Sequence, residues 1–214
     1  MSIDLIHGDC LQEMPNIKSD YIDMILTDIP YDVVNRTSNG LRNLDKSKAD
    51  TLTFDLTQFL VQCHRVSRGY VVIFCGKEQF SFVYRFFASE KGTVRPIIWE
   101  KSNPSPMNGQ YVYLSGVEMA VWFKKRGCKT FSAHCKNTVF RFPNGRSKHH
   151  PTEKNIKLWE ELLKDCTDEG QLVLDPCMGS GTVGIACSNL NRNFMGIELD
   201  VEYFKIAKRR IMPG

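Results

Sequence analysis

Four consecutive residues, Asp28-Ile29-Pro30-Tyr31, close a hydrophobic run and could together hold an amino group. Pro30 disfavours helix at Ile29 and fixes its own φ, so the backbone next to Asp28 is extended and restricted. In that shape the Asp28 carboxylate and the carbonyl of Ile29 or Pro30 can point at one amino group, and the Tyr31 ring can stack on an aromatic base. A second group, Asp175-Pro176-Cys177-Met178-Gly179-Ser180-Gly181-Thr182, joins a short apolar run to a helical pattern through a glycine-rich turn. Glycines let a ligand approach the backbone closely, and a helix N-terminus offers unpaired N–H groups. About 20 residues later Glu198 ends another apolar run, where an acid can accept hydrogen bonds from both ribose hydroxyls. These residues describe a nucleoside-cofactor site. Gly179, Gly181 and Gly184 also satisfy G-x-G-x-x-G, which keeps a dinucleotide-dependent oxidoreductase open. Asp175, however, would face a pyrophosphate, whereas it suits a cationic amino-acid group, so a methionine-bearing nucleoside fits better.

Both groups need strand ends to hold them. Apolar and β-branched runs predict strands over 3–7, 22–27, 70–75, 94–99, 117–123, 172–174 and 193–197. Helical patterns fill 56–66, 77–89, 152–166, 182–190 and 201–211. The alternation predicts an α/β fold: a doubly wound, mainly parallel sheet of seven strands. Runs 94–99 and 117–123 are joined by a Pro/Gly/Asn-rich loop without a helix, which predicts an antiparallel hairpin at a sheet edge. Residues 32–50 are polar and follow a strand end, where ligand-binding loops lie, and they read as a mobile loop. The chain reads as one domain over 1–214, carrying that loop and a short basic insertion over 124–148.

The 214 residues, 42% hydrophobic, suffice for one domain with a real core. The net charge of +4 is uninformative until it is divided. Lys124, Lys125, Arg126, Lys129, Lys136, Arg141, Arg146 and Lys148 place eight positive charges in 124–148 without one acid; the other 20 basic residues face all 24 acids, a net −4. Interleaved with Phe131, Phe140 and Phe142, this run points to a polyanion partner rather than to a solvated face. No apolar run nears the roughly 18 residues that span a bilayer, and the N-terminus is polar, which predicts a soluble, unexported protein. Eight cysteines without a C-x-x-C pair read as reduced thiols. Cys128, His134, Cys135, His149 and His150 have ligand chemistry but not the paired spacing of a zinc knuckle, so no metal is expected.

With these residues in place, the chain resembles the β class of S-adenosylmethionine-dependent amino (N6-adenine or N4-cytosine) DNA methyltransferases. Asp28-Ile29-Pro30-Tyr31 resembles that family's catalytic D-P-P-Y motif, and Asp175 to Thr182 its D-P-F-x-G-S-G-T cofactor motif. His150-Pro151-Thr152-Glu153-Lys154 is similar to its H-P-T-x-K segment, Ile6-His7-Gly8-Asp9-Cys10 to its G-D segment, and Trp99-Glu100-Lys101-Ser102-Asn103-Pro104 to its W-x-K-x-N-P segment. The matches run in family order from residue 6 to about 210. The resemblance implies S-adenosylmethionine as cofactor: Asp9 and Cys10 at the adenine, Glu198 at the ribose, and Asp175, Thr152 and Lys154 at the methionine end. His150, Cys177, Gly179, Gly181, Thr182 and Asp28 complete that set.

It also implies DNA as partner, with a flipped target base on Tyr31 and Asn103-Pro104 near its edge, a cytoplasmic setting in a bacterium or phage-infected cell, restriction-modification, and a homodimer as one option. Aspartate at the first catalytic position resembles the adenine-N6 enzymes, which makes N6 of adenine the expected target and N4 of cytosine the alternative. Two departures stand out. Ile29 replaces the first proline, which keeps the acceptor atoms but loosens the backbone, so a catalytically impaired DNA-binding homologue remains a rival. Cys177 replaces an aromatic wall.

Overall fold

The strand Ile22–Asp28 (β2) carries apolar side chains on both faces, and six of its seven residues are buried, as a central parallel strand requires. Its neighbours are Ser67–Cys75 (β3) on one side and Leu172–Asp175 (β7) on the other, both parallel to it. The computed structural model describes residues 1–31, 55–106, 109–144 and 154–213. The predicted mobile loop 32–50 lies outside them. The remaining strands are Ile3–His7 (β1), Gly92–Lys101 (β4), Val117–Lys125 (β5), Val139–Phe142 (β6) and Asn193–Glu198 (β8). They form one sheet in the order β1-β8-β7-β2-β3-β5-β4-β6.

The doubly wound, mainly parallel design with an antiparallel hairpin is thus observed. The strand count rises from seven to eight, and the addition is β6, which runs parallel to β4. The β4–β5 pair is antiparallel, but β6 takes the outermost position. Pro96 lies inside β4 without harm. Ile98 donates its N–H towards β6, so Pro96, two residues earlier, faces the same side below the point where β6 begins at Ile98.

Helices cover both faces. Leu56–Val66 (α2) and Lys77–Ala88 (α3) pack Phe59, Leu60, Cys63, Val83 and Phe87 against Ile25, Val71 and Ile73. On the opposite face, Ile156–Cys166 (α4), Thr182–Asn189 (α5) and Val201–Ile211 (α6) pack Leu158, Trp159, Val183, Ala207 and Ile211 against Met24, Leu26, Val72 and Phe74. The period-2 alternation along β2 and β3 sorts side chains between these two cores. Side-chain caps fix where the helices begin: Asp55 accepts from Thr57 and Gln58, Asn155 from Lys157, and Asp200 from Glu202 and Tyr203. A short helix, Cys10–Glu13 (α1), capped by Asp9, was not expected.

Because the chain leaves β2 for α2 on one face and β7 for α5 on the other, the topology switches between these adjacent strands. A crevice must open outside their carboxyl ends. Asp28 and Asp175 are the last residues of β2 and β7. No helix among the described residues is long and apolar enough to cross a membrane.

Candidate active site

Asp28 and Asp175, 147 positions apart in the sequence, meet at the crevice. Asp175 is almost fully buried, and its Oδ1 accepts from Thr27 Oγ1 at 2.7 Å and from the Cys177 N–H at 3.1 Å. Burial pushes its carboxyl up to about 7; these hydrogen bonds pull it down only in part, while Asp28 and Glu198 add repulsion. Ile29 continues the β2 ladder, donating its N–H to Phe74 O at 3.1 Å, and its side chain is buried in the α2/α3 core. An apolar residue therefore has a packing role at this position. The Pro30 carbonyl is engaged by Gln79 Nε2 at 3.0 Å, while Gln79 Oε1 accepts from the Gly76 N–H. Of the two carbonyls open in the sequence, this favours Ile29 as the acceptor beside Asp28.

A charged cluster closes round Asp28. Lys154, whose side chain is 3% exposed, contacts Asp28 Oδ2 closely and reaches Glu118 Oε2 at 3.0 Å and the Tyr31 hydroxyl at 3.0 Å. The Tyr31 hydroxyl lies 3.1 Å from Asp28 Oδ1 and 3.2 Å from Glu118 Oε2, so its one proton is shared between two carboxylates. Lys101 Nζ sits 2.6 Å from Glu118 Oε1. Burial raises the Asp28 carboxyl; Lys154 offsets that in part, and Glu118 adds to it. Glu118 moves the other way: burial opposes ionisation, but Lys154 and Lys101 outweigh it and hold the carboxyl down at about 2. Burial would discharge Lys154, yet Asp28, Tyr31 and Glu118 keep its ammonium well above the ordinary lysine range. Lys101 is the lysine of the W-x-K-x-N-P segment, whereas nothing in the sequence singled out Glu118, an acid near the start of an otherwise apolar strand.

The glycine turn occupies the other half of the crevice. Gly181 caps α5 in the left-handed region at φ +84°, and a Cβ there would lie 2.7 Å from Ile211 Cδ1. Gly179, at φ +51°, has open space where a Cβ would stand, so this face of the turn forms a cradle. Glu198, at the end of β8, accepts from the Gly179 N–H and the Asp200 N–H, each at 2.8 Å; burial raises its carboxyl. Each carboxylate oxygen keeps a second lone pair for a hydroxyl. Cys10 and Cys177 place their thiols side by side next to this turn, and Thr182 opens α5. Asp9 ends the β1 edge of the crevice, and its Oδ1 is committed to the Leu11 N–H. A crevice edged by Asp175, Glu198 and Asp28 suits a cofactor with a cationic end and repels a pyrophosphate.

The basic residues are not brought together here. β5 runs antiparallel to β3, so Lys124 and Lys125 finish at the end of the strands opposite Glu118, roughly 20 Å away at strand rise. Lys125 is tied there to Asp20 at 2.6 Å, and Arg126 follows it. Lys129 follows Cys128, which packs beside Gly69 at that same end of the strands, and Lys136 pairs with Glu161 and Asp165 on α4. The described part of this run, 124–144, leaves β5 at the end of the sheet opposite the crevice and returns along β6. Arg141, on β6 beside Glu100, approaches the crevice edge, where the Asn144 N–H donates to Asn103 Oδ1 at 2.6 Å and Pro104 follows. His150, Thr152, Arg146 and Lys148 lie outside the described residues. At the same edge, Tyr111, Val112, Tyr113 and Leu114 form an exposed apolar run that the sequence reading passed over. Among the described residues no cluster of three or more metal-ligating side chains occurs.

This geometry agrees with the similarity to known proteins. The N6/N4 methyltransferase family model, described as DNA methylase, matches residues 22–209. Type II methyltransferase M.HpaI of Haemophilus parainfluenzae is 27% identical over 97% of this chain and 73% of its own length. DNA adenine methyltransferase YhdJ of Escherichia coli (strain K12) is 26% identical over 97% of this chain and 82% of its own length. The crystal structure of the M1.HpyAVI-SAM complex superposes with a TM-score of 0.76 at 32% identity, covering 97% of this chain and 99% of that one. The cytosine-N4-specific PvuII DNA methyltransferase superposes at 0.80 with 16% identity, covering 100% and 88%, a likeness of fold.

Proposed function

The chain belongs to the N6/N4 DNA methylase family, and from that membership we propose that it methylates the exocyclic N6 of adenine in DNA through Asp28 and the Ile29 carbonyl. The observation that carries this reading is the meeting of Asp28 and Asp175 at the ends of adjacent strands, tied together by Thr27. S-adenosylmethionine, the family's cofactor, supplies an electrophilic methyl group on a sulfonium.

The amine to be methylated is a poor nucleophile because its lone pair is delocalised into the ring. Asp28 and the Ile29 carbonyl, accepting both amino hydrogens, favour a pyramidal nitrogen and stabilise the positive charge that develops on it. Transfer is direct, with no covalent enzyme intermediate. The amino group is inaccessible in a stacked duplex, so the base is flipped out, with Tyr31 as its stacking platform and Asn103-Pro104 at its edge. Asp175 holds the methionine ammonium, Glu198 the ribose hydroxyls, the Gly179–Gly181 turn the backbone-facing side, and the Asp9-Cys10 turn the adenine. Arg141 and the exposed Tyr111–Leu114 run are the described residues best placed to meet DNA beside the target. The setting is the cytoplasm of a bacterium, and a homodimer is compatible with this arrangement.

Labelled S-adenosylmethionine with mixed-sequence DNA, followed by mass spectrometry of the digested product, tests the reading. N6-methyladenine is expected. N4-methylcytosine would move the target, and cofactor and DNA binding without transfer would make the chain an impaired homologue.

Asp175 gives cofactor binding a pH dependence. Its carboxyl is protonated below about 7, and an ammonium partner favours the ionised form. Affinity should therefore rise as pH increases through 7, with a proton released on binding, and then level off. Calorimetry across pH 6–8.5 should show that slope in the wild type and a flat, weaker profile in Asp175→Asn.

A further inference from the structure

Both oxygens of Asp28 are covered: Lys154 Nζ sits on Oδ2, and the Tyr31 hydroxyl is 3.1 Å from Oδ1. An amino group arriving with two hydrogens needs one of those oxygens for one hydrogen, the Ile29 carbonyl taking the other. A cation left on Asp28 would also oppose the positive charge developing on the attacked nitrogen. Lys154 cannot withdraw to solvent, because its side chain is 3% exposed and a buried ammonium without an anion is strongly disfavoured. It needs a second carboxylate within reach.

Resting on the adenine-methylation reading, we propose that Glu118 is that second seat: when the target base enters, Lys154 and the Tyr31 hydroxyl pass from Asp28 to Glu118, uncovering Asp28. Glu118 Oε2 already stands 3.0 Å from Lys154 Nζ and 3.2 Å from the Tyr31 hydroxyl, so side-chain torsions suffice for the exchange. Lys101 binds the other oxygen, Oε1, at 2.6 Å, which holds the carboxylate in place and leaves Oε2 to receive Lys154. The charges also balance. Two carboxylates and two ammoniums make a neutral set when the site is closed; in the open state Lys154 and Lys101 share Glu118, and Asp28 is balanced by the charge developing on the amine. Glu118 does not touch the base and is a positioning residue. A glutamine at this position could still accept a hydrogen bond, but it carries no charge, so Lys154 would remain on Asp28.

Glu118→Gln and Glu118→Asp, compared in single-turnover methyl transfer, cofactor binding and thermal melting, test the role. Glu118→Gln should lose at least ~10-fold in the transfer step while cofactor Kd stays within about 2-fold. Its melting temperature should fall, because Lys101, 15% exposed, loses its counter-ion, but transfer measured well below that melting temperature should stay low, and Glu118→Asp should regain most of the rate. A crystal structure of the wild type with a non-reactive cofactor analogue and target oligonucleotide should show Lys154 on Glu118 and the base amino group on Asp28. An unchanged rate in Glu118→Gln overturns the role. So does a loss that tracks melting temperature and is equal in both variants, or a base-bound structure with Lys154 still on Asp28. Wild-type protein that methylates no DNA base overturns the adenine reading and this role together; wild type that methylates while Glu118→Gln keeps its rate overturns the role of Glu118 alone.

Discussion

Asp28→Ala should reduce methyl transfer by about 10² to 10³-fold, the usual cost of deleting one preorganised group that stabilises transition-state charge. The loss should fall on the transfer step. In the proposed mechanism Asp28 accepts an amino hydrogen beside the Ile29 carbonyl, whereas the proposed cofactor cradle consists of Asp175, Glu198 and the glycine turn, which the substitution leaves intact. Cofactor Kd, measured by fluorescence quenching or calorimetry, should change by no more than a few-fold. The fold should survive, because Lys154 keeps Glu118 as its counter-ion at 3.0 Å. Asp28→Asn is the sharper comparison. It preserves shape and one acceptor, but it turns an N–H2 group towards Lys154 or the base, so it should fall between alanine and wild type. Equal transfer by Asp28→Ala and wild type would remove Asp28 from the chemistry.

That Asp28 could be singled out from sequence follows from what its surroundings require. A strand buried on both faces must be a continuous apolar run, so an acid and a proline at the end of such a run mark a strand terminus with a restricted backbone. The same logic exposed Asp175 and Glu198. The strand β6 was hidden for the opposite reason: its four residues, Val139–Phe142, include Arg141 and have only Phe140 buried, so no period announces them. They are a strand because β4 offers an unpaired edge, a fact of tertiary structure. The same limit affects the basic run. Its composition was plain, but which end of the strands each lysine reaches depends on the antiparallel direction of β5, and this separates Lys124 and Lys125 from the crevice.

The predicted helix over 152–166 begins instead at Ile156, because Asn155 caps it with its side chain on the Lys157 N–H at 3.0 Å. Lys154 therefore precedes the helix, and it reaches Asp28 and Glu118 rather than following a helical face. Glu118 was illegible on its own. Its meaning lies in Lys101 from β4, Tyr31 after β2 and Lys154 before α4, three segments whose approach no local pattern encodes.

Lys154→Met should separate activity from stability along the pH axis. Lys154 counteracts the rise that burial imposes on Asp28, so its removal lets the Asp28 carboxyl climb further, with Glu118 nearby adding repulsion. In the proposed mechanism only ionised Asp28 accepts its amino hydrogen and stabilises the developing charge, so the acid limb of the kcat/KM profile should move to higher pH. Each unit of displacement costs about tenfold in rate on that limb. Stability runs the other way. A carboxyl whose folded pKa exceeds its unfolded value favours the folded state least once it is ionised, so the loss grows as pH rises from the unfolded value through the folded one. At pH 8 the variant should be less stable than wild type by about 2 to 3 kcal/mol, from the unpaired partly buried carboxylates, and the gap should narrow towards pH 5. Melting curves and pH–rate profiles on the same samples check both trends. A variant that loses activity and stability in the same pH direction would show that Lys154 acts as a packing residue rather than as the counter-ion that tunes Asp28.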